Sequence, residues 1–111
     1  MATDNRKRIA ELNDLCRTAM GVCGRLVQTP GICAMSLANQ SAIRENVECF
    51  DAFTPENDPY GEHDCGAFDH AGETIFWKID YYDRTLTGGS EDPGDVDRII
   101  RVLTIMLASE C

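Results

Sequence analysis

The sequence predicts an α+β domain, about three helices packed on a small antiparallel sheet with a central β-hairpin. Three observations carry that expectation. Apolar residues recur at steps of three and four near the N-terminus and again around residue 45, the spacing of one helix face. Residues 65–82 alternate between apolar and polar on either side of a turn signal, as the strands of a hairpin do. The chain of 111 residues, 43% hydrophobic and 26% charged, is enough for one core and too short for two lobes with a cleft between them. Residues 1–111 therefore read as a single domain.

Taken in order, Thr3 or Asp4 caps a first helix over about residues 4–20, with Ile9, Leu12, Cys16 and Ala19 as its inner stripe. Gly21 and Gly24 end it. Arg25–Thr29 is a short β-type run closed by Pro30-Gly31, and Ile32–Ser36 reads as a strand pairing back on it. Asn39 or Ser41 then caps a second helix whose stripe is Ile43, Val47, Phe50 and Phe53. It ends near Phe53, because Thr54-Pro55 and Asp58-Pro59 push the chain out of the α region. Residues 54–66 form a loop in which Thr54, Asn57, Asp58 and Asp64 can bond local backbone. Cys65–Phe68 and Glu73–Tyr82 flank a turn in which Gly72 supplies positive φ. The second strand puts Ile75, Trp77, Ile79 and Tyr81 on the core face and Phe76, Lys78, Asp80 and Tyr82 on the other. After Gly88-Gly89, Asp92 caps a third helix with Pro93 at its first position and Val96, Ile99, Ile100, Leu103 and Leu107 inside.

Lys and Arg number 10 against 19 Asp and Glu, a formal net charge of −9. That balance argues against direct nucleic-acid binding, where affinity comes from basic side chains neutralising phosphates. No apolar run reaches the roughly 18 to 20 residues of a membrane span, and the N-terminus is polar, so a soluble cytoplasmic protein is expected. Cys16, Cys23, Cys33, Cys49, Cys65 and Cys111 contain no C-x-x-C pair and read as reduced thiols, buried or half-buried for the most part, with Cys111 the most exposed. There is no phosphate-binding loop and no nucleophile elbow, so no cofactor is implied.

Two features stand out. From Glu45 through Trp77 the chain carries nine carboxylates (Glu45, Glu48, Asp51, Glu56, Asp58, Glu62, Asp64, Asp69, Glu73) and no Lys or Arg. Such a segment is either a solvated face or a surface shaped for a basic partner. The second feature is Tyr60-Gly-Glu-His-Asp-Cys-Gly followed, after the turn, by Trp77-Lys-Ile-Asp-Tyr-Tyr-Asp.

Three blocks, Phe50-Asp-Ala-Phe-Thr-Pro-Glu-Asn-Asp-Pro-Tyr-Gly-Glu-His-Asp, Phe76-Trp-Lys-Ile-Asp-Tyr-Tyr-Asp and Arg101-Val-Leu-Thr-Ile-Met-Leu-Ala, resemble domain-of-unknown-function family 3768. The resemblance extends from the first helix to the C-terminus and implies an alphaproteobacterial setting, often on mobile DNA. It departs from the family pattern at Cys65, where an aromatic is expected, and at Cys111, where tyrosine is expected. It brings no reaction with it.

These observations lead to a small acidic interaction protein, in its most concrete form an inhibitor of the anti-CRISPR or anti-restriction type that meets a basic nucleic-acid-binding surface. Its partner-binding candidates are Glu45, Glu48, Asp51, Glu56, Asp58 and Glu62 on the acidic side and Phe76, Lys78, Asp80 and Tyr82 on the open face of the hairpin. That open face is either covered by the third helix or left for a partner or second copy. The alternative is a metal-dependent hydrolase or nuclease centred on Glu62, His63, Asp64, Lys78 and Asp80. A zinc site from His63, Cys65 and His70 is a further option. Against both stands the plainer role of His63 and Asp64 as ties for a long loop, with Lys78 and Asp80 paired across the open face.

Overall fold

The structure, a computed structural model, describes residues 2–18, 24–83 and 99–110. The elements are α1 (Ala2–Thr18), β1 (Gly24–Gln28), α2 (Pro30–Cys33), α3 (Leu37–Glu48), β2 (Cys65–His70), β3 (Glu73–Asp83), β4 (Ile99–Leu107) and a 3₁₀ turn over Ala108–Glu110. The α+β class holds. Among the described residues the sheet has four strands in the order β1-β4-β3-β2, and it is mixed rather than purely antiparallel, because β1 runs parallel to β4.

Three element expectations are corrected. Residues 99–107 form β4, not a helix. The stretch is rich in Ile, Val and Thr, whose branched Cβ suits a pleated surface, and it is inserted between β1 and β3 with both edges paired. The helix start proposed at Asp92 and Pro93 lies outside the described residues. Pro30–Cys33 is a short helix with Pro at its first turn, so Ile32–Ser36 does not pair back as a strand. The cap of α3 is Ser36, whose Oγ accepts from the Asn39 N–H at 3.1 Å, earlier than Asn39 or Ser41, and α3 ends at Glu48 rather than near Phe53.

The hairpin forms as its sequence predicts. Register runs from Cys65 opposite Lys78 to His70 opposite Glu73, and the two-residue turn Ala71-Gly72 has φ of 52° and 81°, both positive as a primed turn requires. Ile75, Trp77 and Ile79 of β3 share a buried face with Leu103 and Ile105 of β4. Ile32 of α2 and Ile43 and Val47 of α3 close over them. Burial of each such side chain contributes about 1.5 to 3 kcal/mol. Among the described residues the three helices all lie on this side, since Asn13 of α1 bonds Tyr81 and Arg101 of the same sheet face.

Candidate interaction site

The described part of α1 buries Ile9, Ala10, Asn13, Cys16 and Arg17, a helical stripe that includes two polar residues the apolar spacing passes over. Each has a task. Asn13 Nδ2 donates to the Tyr81 hydroxyl at 2.8 Å and to the Glu62 carbonyl at 2.9 Å, while its Oδ1 accepts from Arg101 Nε at 2.7 Å. Arg17 Nη1 donates to the carbonyls of Val47 (2.8 Å), Glu48 (3.1 Å) and Phe50 (2.7 Å), satisfying the C-terminal turn of α3 from another helix. Its Nη2 pairs with Asp14 at 2.9 Å.

Asp14 also anchors the long loop. Both of its carboxylate oxygens lie 3.0 Å from His63 Nδ1, so that nitrogen carries a proton and donates it. The His63 ring stacks on Phe53 and its Nε2 lies 3.6 Å from Asp58. Asp58 in turn accepts from the backbone N–H groups of Glu62 (3.1 Å) and His63 (3.2 Å), holding a turn in which Gly61 and His63 both have positive φ. Thr54 and Asn57 exchange side-chain and backbone bonds in the same loop, as their types predict.

His63 and His70 do not converge. His63 is engaged by Asp14 and Asp58, whereas His70 Nε2 lies 3.1 Å from Asn39 Oδ1 on α3. Among the described residues no three His, Cys, Asp or Glu side chains are grouped to hold a metal ion, so the set Glu62, His63, Asp64, Lys78 and Asp80 is not assembled as a metal centre. Lys78 and Asp80 pair at 3.2 Å on the open face. Burial, then the nearby Asp64, raises the Glu62 carboxyl above its ordinary value. Burial also raises Asp64, with Asp58 and Asp80 adding to the effect. The Cys65 thiol is pushed up for the same reason, burial first and Asp64 next, which leaves it a poor nucleophile.

The acidic candidates separate. Glu45, Asp51 and Glu56 are exposed, and Glu48 and Glu62 are half-buried. Asp58 is only 8% exposed and is committed to the loop, which corrects its place among the partner-binding residues. An open groove of about 310 Å³ brings Cys49, Phe50 and Asp51, just past α3, opposite Ala67, Phe68 and Asp69 of β2. Asp51 and Asp69 thus stand at one depression although 18 positions separate them.

Phe76, Lys78, Asp80 and Tyr82 share the second sheet face with Ile100, Val102, Thr104 and Met106 of β4, and of these only Met106 is buried. The expected third helix over this face is β4 itself, lying within the sheet. Cys33 and Cys49 are exposed thiols, contrary to the expectation of burial, while Cys16 is buried; Cys23 and Cys111 lie outside the described residues.

Together the fold and site define a small acidic two-layer α+β domain organised around a carboxylate-pinned loop. The family model described as "Protein of unknown function (DUF3768)" matches residues 28–110, and the chain belongs to that family. No curated protein and no solved structure matches. Among the described residues no helix is long and apolar enough to cross a membrane.

Proposed function

We propose that this protein is a binding domain whose acidic flank docks on a basic protein surface. In its most concrete form it is an inhibitor of the anti-CRISPR or anti-restriction type, occupying a surface that would otherwise hold nucleic acid. The observation that carries this reading is the meeting of Asp51 and Asp69 at one groove just past α3, in a stretch from Glu45 to Trp77 without a Lys or Arg. A fixed array of carboxylates speeds encounter with a basic partner and penalises acidic ones. The loop that presents part of the array is tied down by Asp58, His63 and Asp14, so little ordering entropy remains to be lost on docking.

The test is competition. The purified protein is titrated into preformed complexes of DNA with bacterial CRISPR effectors and restriction enzymes, and released DNA is measured at several salt concentrations. Release that weakens steeply above about 0.1 M salt, and that is lost with the double reversal Glu48→Lys and Asp51→Lys, supports the reading. Absence of release across the panel removes the inhibitor form, and salt-insensitive binding to basic proteins removes the acidic-flank reading as a whole.

A further inference from the structure

Among the described residues β2 is an edge of the sheet. The two-residue turn makes His70 and Glu73 a hydrogen-bonded pair, and hydrogen-bonded pairs then alternate down the ladder through Phe68 with Ile75 and Gly66 with Trp77. The Ile79 N–H donating to the Asp64 carbonyl at 2.7 Å falls on the same alternation. Cys65, Ala67 and Asp69 therefore turn their backbone N–H and C=O groups away from β3, and no described strand pairs with them. The edge carries no proline, lysine or bulge of the kind that usually protects such a row. The groove walled by Cys49, Phe50 and Asp51 runs along it.

Resting on the acidic-flank reading, we infer that the outer edge of β2, unpaired among the described residues, receives an extended, lysine- or arginine-bearing segment of the partner as an added strand. Main-chain bonds to Cys65, Ala67 and Asp69 provide the register. On the helix side, alternate side chains of the incoming strand meet Phe50, Phe68 and Asp51; on the opposite side they pass Ala67 and Asp69. A second copy of this chain is disfavoured as the occupant, because edge-to-edge pairing would bring two chains of net charge −9 together, whereas a lysine- or arginine-bearing strand has the opposite charge.

The probe is the peptide Lys-Val-Lys-Val-Lys-Val, with a helical Ala/Lys peptide of equal charge as control. The strand-forming peptide is expected to slow amide exchange at Cys65, Ala67 and Asp69 at least tenfold and to bind at least tenfold more tightly than the control. Ala67→Pro removes an outward N–H without touching the ladder to β3, and should reduce strand-peptide binding to the level of the control. If both peptides bind equally, lose affinity on Asp51→Lys and leave those three amides unprotected, strand addition is wrong while the acidic flank stands. If neither binds, both fall. Should Ala67→Pro fail to fold, amide exchange in the unmodified protein decides alone.

Discussion

His63 lies flat on Phe53, with ring centroids 3.9 Å apart and planes 3° from parallel. Phe53 in turn meets Phe50 and Trp77 edge-on, so the loop's histidine is an extension of the aromatic core. His63→Ala removes the stack and the bond to Asp14 together, and should lower stability by about 1 to 3 kcal/mol. Urea unfolding should show a lower midpoint at unchanged slope, with binding per folded molecule retained. An unchanged midpoint would show that the loop does not depend on this residue.

Arg17 is 4% exposed and supplies three carbonyls at the end of α3. Arg17→Met removes the guanidinium from the Glu48 and Phe50 carbonyls and from Asp14, while the Val47 carbonyl keeps the Phe50 N–H, a loss of about 2 to 4 kcal/mol. Arg17→Lys should recover less than half of it, because one ammonium cannot span the same fork. Thermal melts of the two variants check both statements.

At Ala71 the turn holds an alanine at φ of 52°, where asparagine or glycine is preferred. Ala71→Asn should stabilise the protein by about 0.5 to 1 kcal/mol, read as a higher urea midpoint.

Gly66 faces the core so closely that an added methyl would lie 2.7 Å from the Phe50 ring and from Trp77 Nε1. Gly66→Ala should destabilise by about 1 to 3 kcal/mol through overpacking. Near-ultraviolet circular dichroism should report a disturbed Trp77 environment in the same variant.

Asp64 has its carboxyl raised above the ordinary value of 3.8, chiefly by burial. A raised acid binds its proton more tightly in the folded state, so its contribution is most favourable below pH 3.8 and declines as pH rises through the folded value. Asp64→Asn should therefore gain melting temperature relative to the unmodified protein as pH increases from about 4 to 7. A difference independent of pH would show that the carboxylate carries no such penalty.

How far the sequence alone reaches depends on the range of the interactions that decide each feature. The hairpin from Cys65 to Asp83 was legible because alternation and turn chemistry are local, and α1 and α3 were legible from their 3.6-residue spacing. Residues 99–107 were not, since Ile and Val on both faces fit a covered helix as well as a central strand, and only pairing with β1 and β3 separates the two. Asn13 and Arg17 fall on the extension of the Ile9 stripe, yet their partners Arg101 and Val47 are 88 and 30 residues away. The sequence by itself determined the α+β class, the hairpin and the acidic character of the stretch from Glu45 to Glu73. The tertiary structure decided which carboxylates face outward, turning Asp58 in to hold the backbone of Glu62 and His63 and bringing Asp51 to Asp69, because burial and cross-chain proximity arise only when distant segments pack.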